Sequence, residues 1–240
     1  MPLNPFGQSV GNSLMDWEQP PHPTATPLKG RTCRLEPLDP KQHADPLWDA
    51  FSEAPDGRDW TYLSWGPFPD RGIFDAWIDE ISGEFYAPFW AVSVNGKACG
   101  IGAYLAVSTS NGNIELGHLH FAPRLRQTIA ATEALHLWLD HAFALGYRRV
   151  TWKCDTLNHS SRQAARRLGF SFEGIFRNHR RFKGRNRDTA WYAITDDEWP
   201  RLREIHRAWL DPANFDNSGK ALSRLSERTA PLRRSDPTDN

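Results

Sequence analysis

An α/β fold on a mixed sheet is predicted by three features of this 240-residue chain. Helix-like and strand-like periodicity alternate from about residue 114 to 182. Two strand-like runs, 89–94 and 98–107, are joined by Asn95-Gly96, a strong hairpin signal. A long helical pattern, 128–145, gathers Ala134, Leu135, Trp138, Ala142 and Leu145 on one inward face and stops at Gly146. Hairpins together with interleaved helices argue for helices packed on a mixed sheet.

The elements follow in order. Residues 1–29, rich in proline and without apolar periodicity, read as a flexible N-terminal arm. A first strand fits 31–36. A helix fits 40–53, with Asp39 as its N-cap and Pro40 at the first helical position. Residues 55–69 form a loop carrying Trp60, Tyr62, Trp65 and Phe68. A second helix, 70–82, places Phe74, Trp77, Ile78 and Ile81 on one face. After the 89–107 hairpin, Asn111-Gly112 marks another turn and 114–121 a third strand. Strand 149–155, helix 159–168, strands 171–182 and 187–195, and a helix from near Asp196 to 209 complete the series. The expected organisation is one domain over 30–210, with a flexible C-terminal tail over 211–240.

Composition sets limits. Hydrophobic residues make up 39% and charged residues 24%, as in soluble globular proteins, and formal net charge is zero. Neither nucleic acid nor an anionic membrane is therefore an expected partner. No apolar run reaches the roughly 18–20 residues needed to cross a bilayer. Cys33, Cys99 and Cys154 show no paired spacing, so the expected compartment is the reducing cytoplasm. Monomer and homodimer both stay open.

Five places can carry chemistry. Asn158 and Ser161 stand at the mouth of a short helix, where they either cap it or face a ligand. The run Arg126-Gln127-Thr128-Ile129-Ala130-Ala131-Thr132 opens the longest helix, whose free N–H groups suit a phosphate. Glu115 lies on a half-buried strand, as a base or as part of a salt bridge. Strict alternation would put Glu115, Gly117, Leu119 and Phe121 on one face, and Ile114, Leu116, His118 and His120 on the other. The two histidines and Cys154 read as packing residues, and no metal site is expected. The basic run 177–187 reads as a hairpin, solvated or meeting an anionic substrate.

The segment Asn158-His-Ser-Ser161, a helix ending in Leu168-Gly169-Phe170, and a strand with Glu173-Gly174 resemble the GNAT acyltransferases. The branch is that of ribosomal-protein N-terminal acetyltransferases, with the subgroup of microcin C self-immunity acetyltransferase domains. Ile114–Pro123, Gly146–Asp155, Gly184–Tyr192 and Asp197-Glu198-Trp199 extend the similarity to about residues 30–200.

The resemblance implies a mostly antiparallel central sheet flanked by helices, and transfer of acetyl from acetyl-CoA to an amine. It implies cofactor contacts from Leu119, His120 and Phe121, from residues 126–132, and from Asn158 and Ser161. Glu115 and Ser161 would be catalytic, and Trp60, Tyr62, Trp65 and Phe68 would line the acceptor pocket. Arg126 and Ala131 match the family's phosphate signature, whereas Gln127 and Ile129 replace glycines. Either the loop keeps its shape with Ile129 turned aside, or the protein is a non-catalytic binding module on the same fold.

No strong general base stands out. At pH 7.4 a lysine amine lies about 3 pH units below its pKa, roughly 4 kcal/mol to deprotonate, against under about 1 kcal/mol for an α-amine. The expected acceptor is therefore an α-amine, on a peptide N-terminus or an aminoacyl small molecule.

Overall fold

The computed structural model describes residues 1–84 and 86–234. Its strands are β1 (Leu28–Lys29), β2 (Arg34–Pro37), β3 (Phe89–Val94), β4 (Lys97–Ser108), β5 (Asn113–Phe121), β6 (Arg149–Asp155), β7 (Ser171–Phe182) and β8 (Arg185–Thr195). The helices are α1 (Pro40–Phe51), α2 (Arg71–Ser82), α3 (Ile129–Ala144), α4 (His159–Arg167), α5 (Trp199–Leu210) and α6 (Leu225–Thr229). The strands form one sheet in the order β1-β2-β3-β4-β5-β6-β8-β7. Every neighbouring pair is antiparallel except β5–β6. This is the mixed, mostly antiparallel α/β sheet that the sequence implies.

The parallel pair follows from its connection, because α3 carries the chain back across the sheet. It is short. Asn113 pairs with Arg149, Ile114 with Val150 and Glu115 with Thr151, and there the pairing ends. Yet β5 continues to Phe121 and β6 to Asp155. The two halves of the sheet therefore part beyond Glu115 and open a cleft.

A bulge in β5 corrects the expected facing of its side chains. Gly117 pairs with Ala103, but the next paired rung is His120 with Ile101, so β5 carries one residue more than β4 across this step. His118 takes the extra turn at φ 50°. Parity reverses there, as a bulge requires. Leu119 faces α3, where a Cβ on Gly102 would meet both its side chain and Trp138 at 2.6–2.7 Å. His120 faces the other way, stacked on Trp60 at 3.8 Å and edge-on to Phe51 at 4.4 Å. Glu115, His118 and His120 thus share a face, and Leu119 and Phe121 join Ile114 and Leu116.

Helices α1 and α2 cover the histidine face, and α3, α4 and α5 the other. Arg167 of α4 donates to Thr132 of α3 at 2.9 Å, and Arg203 of α5 pairs with Asp140 of α3. Side-chain caps start the helices, at Asp39 on Lys41 and Asn158 on Ser161 as the sequence predicts, and also at Asp70 on Ile73 and Thr128 on Ala131. Helix α5 begins at Trp199 rather than near Asp196. The Thr195 N–H donates to Glu198 at 2.9 Å and its hydroxyl to Asp197 at 2.5 Å, which closes a turn first.

The described segments before β1 and after α5 both touch the body. The Tyr147 hydroxyl donates to the Pro21 carbonyl at 3.0 Å, and the Trp90 indole to that of Thr26 at 2.8 Å. These acceptors are backbone carbonyls, which leave no sequence pattern. Beyond α5, Leu225 is buried and the Trp209 indole donates to the Ser223 carbonyl at 2.9 Å. The rest of the expected tail, 235–240, lies outside the described residues. Among the described residues no helix is long and apolar enough to cross a membrane.

Glu133 of α3 ties the β1–β2 turn to the sheet. Its carboxylate accepts the N–H groups of Arg31, Thr32 and Cys33 at 2.8, 2.6 and 3.2 Å, and the Thr32 hydroxyl at 2.6 Å. Burial pushes its pKa up. The four donors more than offset that and hold it below the usual carboxylate range. A depressed folded pKa stabilises the fold above the unfolded value, near 4.3, and the contribution fades as pH falls through the folded one. Glu133→Ala is expected to lower stability by about 3 kcal/mol at pH 7, because several donors lose their acceptor. Urea unfolding of both proteins from pH 7 to pH 3 checks this: the gap should narrow below about pH 4.5.

Candidate active site

The cleft between β5 and β6 is flanked by Glu115, the loop 126–132 and the Asn158–Ser161 turn. Beyond Glu115, β5 has no partner on its β6 side, so the N–H groups on that edge stay outside the ladder. Helices α3 and α4 start from the open ends of these two strands. Their first N–H groups lack intrahelical partners and carry the positive end of the helix dipole.

The loop into α3 is tightly wound. Leu125 and Arg126 both donate backbone N–H groups to the Ala122 carbonyl, at 2.9 and 3.2 Å. Gln127 then takes φ 60°, the left-handed conformation open to glycine without strain. Ile129 is partly buried and packs against the core. The Thr128 hydroxyl is engaged in the cap, accepting from Ala131 at 3.1 Å and donating to Leu125 at 2.7 Å. Ala130 and Ala131 are buried beneath. Arg126 grips Asp59 with two bonds, at 2.8 and 2.5 Å, and donates to the Phe121 carbonyl at 2.7 Å. It therefore ties the aromatic loop to the end of β5, a role its sequence position did not reveal.

On the other wall, the Asn158 carboxamide oxygen accepts from the Ser161 N–H at 3.1 Å and the Ser160 hydroxyl at 2.9 Å. Ser161 oxygen accepts from the Trp152 indole at 2.9 Å. That leaves the Ser161 hydroxyl proton to donate, and the Cys154 sulfur is within its reach. Nearby, burial pushes the Cys154 thiol up to about 11, against a hydrogen bond from Ser161 that lowers it. Such a thiol is a packing residue rather than a nucleophile. The Tyr62 hydroxyl spans the cleft mouth and donates to the Leu157 carbonyl at 3.1 Å.

Glu115 sits on the last rung before the strands part. Burial raises its pKa, and Lys153, in an ion pair with it, pulls the other way, as do Arg180 and Arg187. Lys153 in turn lies 4.5 Å above the Trp191 ring. The sequence reading passed over Lys153 and Trp191. The available signal was alternation on β6, which sets Thr151, Lys153 and Asp155 opposite Val150, Trp152 and Cys154.

Burial holds His118 at a pKa of about 4 and His120 at about 3, so both stay neutral near pH 7. His118 packs on Trp65 at 4.4 Å and on Phe89 at 5.7 Å. Trp60 is only 5% exposed, wedged among Phe51, Phe68, Trp77 and His120, so its faces are used in packing. Tyr62, Trp65 and Phe68 are half-buried, with Phe68 against Trp60, Phe74 and Trp77 and Trp65 against Trp77 as well as His118. Among the described residues no group of three or more His, Cys, Asp or Glu side chains could hold a metal ion.

A mixed sheet thus parts between two parallel strands, with helix starts at the opening. The sequence model of the acetyltransferase (GNAT) domain matches residues 33–171. A GCN5-related N-acetyltransferase structure from Brucella melitensis is 41% identical, covering 90% of this chain and 100% of its own at a TM-score of 0.88. A probable GNAT acetyltransferase from Chromobacterium violaceum is 36% identical, over 80% and 98% of the two chains, with a TM-score of 0.75. The chain belongs to the GNAT acetyltransferase family. The narrower branch expected from the sequence is distant. The ribosomal L7/L12 α-N-acetyltransferase RimL is 20% identical and the microcin C7 self-immunity acetyltransferase MccE 17%, a likeness of fold alone. No curated protein matches the chain.

The left-handed residue in the α3 loop gives a direct test of its strain. A non-glycine residue there costs roughly 1–2 kcal/mol. Gln127→Gly is expected to raise stability by about 1 kcal/mol in urea unfolding, and Gln127→Val to lower it by a similar amount.

Proposed function

We propose that this protein moves an acetyl group from acetyl-CoA to an α-amine of a small aminoacyl compound or a peptide N-terminus. The observation that carries the reading is the parting of β5 and β6 after three rungs, with Glu115 on the last rung and the starts of α3 and α4 at the opening. The loop 126–132 with the α3 N-terminus would hold the diphosphate, and Asn158 the pantetheine arm.

The reaction needs few groups. The neutral amine nitrogen bonds to the thioester carbon, the carbon–sulfur bond breaks, and sulfur leaves with its electron pair. Holding both reactants in the cleft supplies much of the rate. A backbone N–H near Leu119 or His120, on the unpaired edge of β5, would polarise the carbonyl. The Ser161 hydroxyl, whose oxygen is already occupied by the Trp152 indole, would donate to the departing sulfur. Glu115, its pKa raised by burial, would take the amine proton directly or through water. Tyr62 and Trp65 would flank the acceptor.

Calorimetric titration with acetyl-CoA is expected to show binding. No heat and no thermal shift at millimolar acetyl-CoA would leave a non-catalytic module. Ser161→Ala is expected to lower kcat by about a hundredfold, the lower end of the range for a positioned acid, with less effect on KM for acetyl-CoA. Urea unfolding should accompany it, since the Trp152 indole also loses its acceptor. A lysine-containing peptide with a free N-terminus is expected to be acetylated faster than the same peptide blocked there. Equal rates, with modification on lysine, would require a stronger base than Glu115.

A further inference from the structure

We propose that the acceptor carries an oxyanion, a carboxylate or a phosphate, close to its amine, and that Lys153, Arg180 and Arg187 seat it. The proposal rests on the acetyl-transfer reading and names the class of acceptor for that cleft.

The sheet register gathers these side chains. Lys153 pairs with Trp191 across β6–β8, and Arg180 with Arg187 across β7–β8. Strand alternation puts Arg187, Thr189 and Trp191 on the Glu115 face. Arg180 and Arg187 both act electrostatically on Glu115, and both act with Lys153 on His179. Glu115 is matched by Lys153. Among the described residues no carboxylate forms an ion pair with Arg180 or Arg187. Asp155 bears on Arg187 only at a distance and accepts the Leu157 N–H at 2.9 Å. A chain of zero formal charge thus keeps a local excess of cations beside its cleft.

Two donors in this patch lack acceptors. Arg187 Nε and Trp191 Nε1 are both buried without a hydrogen-bond partner. Buried donors left unpaired are uncommon and call for an explanation. Two oxygens of one oxyanion, carboxylate or phosphate, fit guanidinium geometry, and the anion would also answer the charge excess. The patch is held in place. The Arg187 guanidinium lies 5.1 Å over the Phe182 ring, and Lys183 at the hairpin tip donates to the Trp60 and Gly66 carbonyls at 2.8 and 3.0 Å. The β7–β8 hairpin is therefore bound to the aromatic loop across the cleft, and its arginines border the space where an amine must approach Glu115.

The test compares wild type with the Arg180→Gln/Arg187→Gln double variant on two acceptor pairs that differ in one oxyanion. Leucine against leucinamide reads the carboxylate, and O-phosphoserinamide against serinamide the phosphate. Acetyl-CoA binding is measured first on both proteins, so that failure of acetyl transfer itself shows separately. Both arginines also bear on Glu115, so the readout is the ratio of kcat/KM for the charged acceptor to that for its uncharged partner, which is expected to fall on the order of tenfold or more in the variant for the favoured oxyanion. Which pair responds identifies the anion. Equal losses on charged and uncharged acceptors, or none on either, would overturn the proposal.

Where no acceptor in the panel turns over, the Arg187 Nε–H resonance, assigned by its loss in Arg187→Lys, is followed during titration with inorganic phosphate and with acetate. A saturable shift with either anion supports the site, and none at 50 millimolar overturns it. Binding of single-stranded or duplex nucleic acid at physiological salt, lost in the double variant, would also overturn it.

Discussion

The structure turns on a parallel pairing that stops after three rungs. Had β5 and β6 stayed paired to their ends, the sheet would be continuous and nothing could enter it. Because they part, backbone groups on the inner edge of β5 escape the ladder, and two helices begin at the opening. The bulge at His118 adds a second constraint. It reverses the parity of β5, so Leu119 and Phe121 meet α3 while His120 meets the aromatic loop. The single extra residue lets one strand line the cleft and anchor both layers.

The walls of the cleft are held by polar ties more than by apolar packing. Arg126 joins the end of β5 to Asp59, Tyr62 joins the aromatic loop to Leu157, and Lys183 joins the β7–β8 hairpin to Trp60 and Gly66. The Tyr62 and Lys183 ties cross from one half of the sheet to the other, while the Arg126 tie fixes the aromatic loop to the β5 half. Behind them Trp60 packs among four aromatic rings, which makes the loop a rigid flank. A site built this way holds its reactants by position, in keeping with chemistry that asks little of any one side chain.

Glu115 illustrates how context sets a role. A carboxylate buried alone would tend to stay protonated, and one fully matched by cations would be a poor base. Here burial raises its pKa while Lys153 and two arginines oppose the rise. The same cations, more numerous than the carboxylates that pair with them, give the cleft its second property, an attraction for anions.

Sequence alone determined the elements and the family. Helix periods, the Asn95-Gly96 turn, the caps at Asp39 and Asn158, and the Asn158–Phe170 motif are local signals, readable because each depends on residues a few positions apart. It also pointed to Glu115, Ser161 and the α3 loop as candidates. The bulge was not legible, because alternation assumes unbroken pairing and only the neighbouring strand decides where a residue is added. Lys153 and Trp191 were missed because their significance lies in partners 38 residues apart, on β5 and β6, and 38 apart again, on β6 and β8. The fate of Trp60, packed rather than presented, and the anchoring of the N-terminal segment through the Pro21 and Thr26 carbonyls were likewise decided by contacts between distant segments. Tertiary structure alone supplies such contacts, since the free energy of burying a ring or pairing a charge depends on what the fold brings beside it.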